Sequence, residues 1–502
     1  MNGKQFIIRN SSTENFFLLC LLFIVFVALG VLRSMGWSLT SIAEDKAELG
    51  WVTIVGYTLL FILCISFIWV IQAPERATYL LGSSAALGVF PKIPGLPFLQ
   101  DVTHVALALF VIANWRNLHP WMEIRTPTDL RLKAFLTFLF ISTASVIINF
   151  MLRGDVWQLK VGISGLFLLG LLFVALSIII KSPTNRIFSD MYDGFLDSAK
   201  IATVLGVIVI TLSLVTPYST GIEDDGRDTL WGLEYFDRLK LMFDGPGIAA
   251  SYFVGAMAFV IYALSQCGST IKGWSRNWLL FLVQALPWLV VASGSRVGRI
   301  ALAILILAGL LWNPVRRASL IALPMTIAAL LIMMDFQSFP SAVKYSLGHI
   351  FPEHFNIEKI DDLRLHARLF ALEERGDLLK HSISAFQEES MLMKIIGIGY
   401  GITGYRTSPY PSPHNLFLGL IIQVGILGFL SYFLFWFICT KPIFTSAKNL
   451  NSSEQGVRWA FCISLVSVLG LAVSYEVQTR GWVLMLLLMM HSWLNFNKKS
   501  HN

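Results

Sequence analysis

Fourteen apolar runs, at about 15–33, 51–72, 77–90, 101–115, 134–152, 161–180, 201–217, 248–266, 277–293, 297–312, 319–335, 414–438, 459–476 and 481–496, govern what this chain can become. A helical run of ~20 apolar residues matches the hydrocarbon thickness of a bilayer. Inside lipid a backbone must satisfy its own hydrogen bonds, so such runs are expected as helices. Composition agrees: 55% of the 502 residues are hydrophobic and 14% charged, against about 25% charged in soluble domains. That excludes an ordinary soluble enzyme, a disordered chain and a nucleic-acid-binding protein. The expected fold is all-α, a polytopic membrane protein with about 12–14 transmembrane helices and one large periplasmic loop. The range arises because the third and fourth runs are short and separated by PKIPGLPFLQ. They are two short spans or one re-entrant hairpin.

The formal net charge is +7, but its placement says more than its sum. With the first residue in the cytoplasm, every inner segment carries at least one basic residue, among them Arg131, Lys133, Lys181, Arg186, Lys200, Arg316 and Arg317. The positive-inside rule requires this, and it places both termini in the cytoplasm of an inner-membrane protein. The first run lacks a nearby small-residue cleavage pattern and is expected to be a retained helix. The five cysteines lie within apolar runs or at their ends and outline no disulfide framework. Three regions follow: a helix bundle at 1–335, a periplasmic loop at 336–412, and C-terminal membrane helices at 413–502.

That loop is far longer than ordinary connections. Within it, DDLRLHARLFALEERGDLLKHSISAF spaces Leu365, Leu369, Leu372, Leu379, Ile383 and Phe386 at helical intervals. It reads either as a helix lying on the membrane surface or as a lid over an outward-opening cavity.

Arg296 stands between two apolar runs in WLVVASGSRVGRIALAILILAGLLW. Arginine at hydrocarbon depth costs ~2.5–3.5 kcal/mol on insertion scales, so it ordinarily faces the protein interior. Arg299 follows on the same helical face. One reading is a tight outer turn whose arginines snorkel to lipid phosphates. The other is a pair of guanidinium groups aimed at an anionic substrate, for which arginine's planar fork is suited. In SPYPSPHNLFLGLIIQVGILGFL, Ser412 and Pro413 resemble a helix start, which would put His414 in the first turn. The positive end of the helix dipole would keep that imidazole neutral, as a general base requires. The plainer alternative is an interfacial histidine without chemistry. Asn415 beside it would orient a sugar or cap the backbone.

Glu223, Asp224, Asp225 and Asp228 cluster in an outer acidic segment, which reads as a divalent-cation site or, more plainly, as a solvated loop. GIGYGITGYR at 397–406 lacks the strand-to-helix context of a phosphate loop and reads as a flexible hinge. No HExxH, CxxC pair or G-x-S-x-G pattern points to zinc, haem or a serine nucleophile.

Three stretches, SGSRVGRIALAI, HARLFALEE running on to IIGIGYG, and SPHNLFLGLIIQVGILGFL, resemble the O-antigen ligase and O-antigen polymerase family of bacterial membrane glycosyltransferases. They span roughly 280–440. Val297 intervenes in the first, and the glycine-rich segment, which contains Tyr400, lacks the family's proline. The resemblance implies a metal-independent enzyme without cofactors, acting on a glycan carried by undecaprenyl diphosphate. By the same resemblance His414 is the base and Arg296 and Arg368 are diphosphate ligands, with Arg299 beside them and Arg364, Asn415 and Tyr400 in support. Proton removal by His414 from an attacking hydroxyl predicts inversion at the anomeric carbon.

The expected function is therefore an inner-membrane glycosyltransferase that polymerises repeat units of O-antigen or exopolysaccharide at the periplasmic face. The alternatives are a ligase joining the glycan to lipid A-core, and a polysaccharide or lipid transporter. Expected partners are the lipid-linked oligosaccharide, a glycan or lipid A-core acceptor, membrane lipids, and a chain-length regulator and flippase. A transporter would be expected to show a repeat between its halves, and none is evident.

Overall fold

The structure is a computed structural model that describes residues 13–34, 50–87, 101–115, 129–181, 185–215, 232–234, 238–241, 243, 245–266, 274–332, 380–401, 415–445, 451–473 and 481–500. The described part of every apolar run falls on a helix. In chain order these are α1 (Thr13–Ser34), α2 (Gly50–Ile71), α3 (Pro74–Ser83), α4 (Val102–Asn114), α5 (Leu130–Arg153), α6 (Val156–Lys181) and α7 (Asn185–Val215). After a small hairpin come α8 (Pro246–Gln266), α9 (Trp274–Ala292), α10 (Arg296–Leu311) and α11 (Arg316–Ile332). The short α12 (Met391–Ile396) precedes α13 (Leu416–Thr445), α14 (Ser452–Ala472) and α15 (Gly481–Ser500). Among the described residues, 7 helices are long and apolar enough to cross a membrane. The fold is that of an all-α polytopic membrane protein.

Local chemistry sets the helix ends. Asp129 caps α5 by accepting the Arg131 N–H at 2.8 Å, and Gly154 ends it in the left-handed conformation at φ 68°, where glycine carries no Cβ penalty. Asn451 and Glu454 form a reciprocal capping box at the start of α14. Helix α8 lies at the centre, and every residue from Pro246 to Leu264 is buried.

The two short runs become α3 and α4, of 10 and 13 residues. At 1.5 Å per residue each is shorter than a bilayer's ~30 Å core. Their tips meet: the Ser84 hydroxyl donates to Thr103 Oγ1 at 3.1 Å. Asp101 begins α4 by accepting the Thr103 N–H at 2.8 Å, and it also accepts the Gly481 N–H of α15 at 3.1 Å. One carboxylate therefore starts two helices. Where α3 crosses α7, a side chain at Gly82 or Gly194 would overlap the opposing backbone.

Lys200 lies within α7, where its charge is paired: Nζ sits 2.5 Å from Asp197 Oδ1, and Tyr79 OH donates to Asp197 Oδ2 at 2.8 Å. The outer acidic segment runs into an antiparallel hairpin, Gly232–Glu234 with Arg238–Leu241, whose Leu239 and Leu241 are buried.

Candidate active site

The turn between α9 and α10 is built by Ser293, Gly294 and Ser295. Gly294 adopts φ 64°, the left-handed region that glycine enters freely. The Ser293 hydroxyl donates to the Val290 carbonyl at 2.6 Å and accepts the Ser295 N–H at 3.3 Å. Ser295 then caps α10 by accepting the Gly298 N–H at 3.1 Å. Arg296 is the first helical residue and is exposed, while Arg299, one turn on, is partly buried. The tight turn carries Arg296 to the surface at the helix start. A cation there opposes the helix dipole by ~0.3–1 kcal/mol, so the arginine and the dipole together favour an anionic ligand.

The first turn of α10 is wedged between two other helix ends. A Cβ on Gly298 would lie 2.6 Å from Ala250 Cβ at the start of α8. A Cβ on Gly470, near the end of α14, would lie 2.6 Å from Val297 Cγ1. The same end of α14 receives the start of α13, because Asn415 Nδ2 donates to the Val473 carbonyl at 3.2 Å. Gly470 and Val473 are within one helical turn. The chain neighbours of Arg296 and His414, far apart in sequence, thus rest on one short stretch of α14.

Asn415 resolves one open reading. Its Oδ1 accepts the Leu418 N–H at 3.1 Å and its carbonyl accepts the Gly419 N–H at 2.8 Å. Asn415, and not Ser412, is the cap of this helix. His414, Arg364 and Arg368 lie outside the described residues, as do Glu223, Asp224, Asp225 and Asp228.

Sequence reading missed the feature that organises this region. Helix α13 is broken at Gly425, with φ 64° and ψ −174°, a combination open essentially to glycine alone. The break frees carbonyls that a continuous helix would use. Ile422 O accepts the Ile398 N–H at 2.9 Å, and Gln423 O accepts both the Gly399 N–H at 3.0 Å and the Ser145 hydroxyl at 2.9 Å. Gln423 Oε1 accepts the Gly401 N–H at 2.9 Å. The glycine-rich segment 397–401 is therefore docked on the broken helix, not a free hinge. Gly397 crosses Gly425 at close range, and a side chain at either would overlap backbone of the other segment. Irregular backbone is tolerated at membrane depth where it is buried in protein, and Gln423, Ile398 and Tyr400 are all buried.

Tyr400 packs edge-on to Phe138 at 6.0 Å and against Gly165 of α6. Residues 380–387 are helical, as the amphipathic pattern expects at that end; the rest of the pattern lies outside the described residues. Phe386 rests on Ile398 and Ile422. Arg153, at the end of α5, pairs with Glu389 at 2.6 Å. The signal that could have exposed the break is a lone glutamine two residues before a glycine in a run otherwise apolar.

Residues 279–433 match the family model described as O-antigen ligase. That stretch runs from α9 through the large loop to the broken part of α13, and it contains Arg296, Arg299, Arg368 and His414. The resemblance to the O-antigen ligase and polymerase family holds over this segment. Among curated proteins, none matches the chain.

Proposed function

We propose that this chain, carrying an O-antigen ligase segment at 279–433, is an inner-membrane glycosyltransferase. It moves a glycan from undecaprenyl diphosphate to an acceptor hydroxyl at the periplasmic face, extending surface polysaccharide. The supporting observation is the seating of the starts of α10 and α13 on one end of α14, through Val297 against Gly470 and Asn415 on Val473.

The chemistry needs no metal. A lipid-linked diphosphate is already a good leaving group, so the barrier lies in the negative charge that develops on departure. In this reading Arg296 and Arg299, beside a helix start, stabilise that charge, with Arg368 as a third ligand. His414 takes the proton from the acceptor hydroxyl as its oxygen attacks the anomeric carbon, and the configuration inverts. Base catalysis of this kind contributes ~10²–10⁴-fold. His414→Ala, present in the membrane at wild-type amounts, should abolish nearly all product in cells; full product length and yield would end the proposal.

The family description names a ligase, so ligation to lipid A-core is the second reading. Deletion separates the two. Loss of a polymerase leaves single repeat units on the acceptor, whereas loss of a ligase leaves long chains on the lipid carrier.

A further inference from the structure

We propose that Gln423 is a positioning residue for this transfer, its side-chain amide clamping the glycine segment of the large loop to the broken helix α13. The inference rests on the function proposed above. The argument turns on separating main chain from side chain. At the break, the carbonyls of Ile422 and Gln423 are taken by Ile398 N–H, Gly399 N–H and the Ser145 hydroxyl. Those bonds would survive any side chain at 423, so closing the broken helix does not require glutamine. The amide does something further: Oε1 reaches Gly401 N–H at 2.9 Å, two residues beyond Gly399 along the strand of chain that leads to His414. A polar side chain that is 1% exposed in an apolar helix must be satisfied to be tolerated, and the oxygen of this one is satisfied by the loop.

The clamp therefore fixes Gly401 on the same α13 stub that Asn415 ties to α14, 13 residues before His414 in the sequence. Gln423 touches no substrate in this scheme; it acts by holding the limb that carries the base. Glycines at 397 and 425 make the clamp possible, because both adopt conformations with positive φ and ψ near 180° at the crossing.

The test uses purified full-length protein in lipid nanodiscs, with amide hydrogen exchange and turnover of a lipid-linked oligosaccharide measured on the same samples. Gln423→Leu keeps the volume and removes the acceptor. It should speed exchange at 399–401 about tenfold and lower kcat about 10²-fold, the scale of a misplaced reacting group, with little change in KM. Thr440→Ala, which removes a back-bond to the Trp436 carbonyl on the far side of the break, should change neither. Unchanged exchange, or faster exchange with wild-type kcat, overturns the proposal. If Gln423→Leu fails to assemble, Gln423→Asn, whose acceptor falls one methylene short, must give the same pattern; normal values in it overturn the proposal equally. His414→Ala run in parallel separates the two claims. Normal turnover there removes the proposed function itself, whereas an inactive His414→Ala beside a fully active Gln423→Leu removes only the clamp.

Discussion

Helices α8 and α13 are both long and apolar, yet they solve the membrane's demand on backbone polarity in opposite ways. Helix α8 is buried from Pro246 to Leu264 and runs without a break. Its polar side chains are spent on neighbours: Ser251 Oγ accepts from Ser467 at 3.0 Å and from Trp482 Nε1 at 3.2 Å, and Tyr252 bonds Ser198 at 2.9 Å. Helix α13 opens at Gly425 and hands its carbonyls to a loop far upstream. The matched segment, 279–433, contains the opening and excludes all of α8. Regular, self-satisfied helix supplies the frame, and irregular backbone, paired through long-range partners, gathers where the proposed chemistry lies.

This contrast can be broken experimentally, and the largest effect is expected in the frame. Trp482 is buried, stacks on Phe195 at 5.4 Å and anchors α15 to α8. Trp482→Ala should cost ~3–5 kcal/mol, read as a lowered melting temperature in detergent, with residual activity tracking the folded fraction. A frame indifferent to this loss would show that α8 is not its centre. Next in size, Gly425→Ala forces a side chain into a glycine-only conformation worth ~1–3 kcal/mol and against the Ile395 carbonyl. Thermal melting should fall and exchange at 397–401 should rise; an unchanged melt would mean the helix is continuous.

The contrast was only half legible in the chain. Every apolar run predicts a helix because burial and backbone satisfaction are local properties of a stretch of ~20 residues. The Ser293–Ser295 turn is likewise visible, since serine caps and glycine turns act on adjacent residues. The break at Gly425 is not, because its energetic partners, Ile398 and Gly399, belong to a segment that reads locally as a hinge. Nor is the bond between Tyr79 and Asp197, which lie 118 positions apart.

Two smaller effects sharpen the comparison. Arg296→Lys keeps the charge but loses the planar fork, so product formed in cells should fall about tenfold, ~1.4 kcal/mol in the barrier, with no change in melting. Normal product would make Arg296 a lipid anchor. Smallest, Gly170→Ala in unbroken α6 meets nothing within 4 Å and should raise stability by ~0.5–1 kcal/mol. The same substitution thus stabilises at 170 and destabilises at 425, and equal signs would erase the distinction.

The shared cap at Asp101 has a consequence for how this protein is made. Its carboxylate must wait for Gly481, 380 positions later, before its second bond can form. The short α3–α4 pair is thus synthesised long before the helix that completes it. During insertion that pair has to be sheltered, by lipid, by α7 or by the insertion machinery, until α15 emerges. Truncation before residue 481 should therefore be felt first near the opposite end of the polypeptide, as an α3–α4 pair open to quality-control proteases.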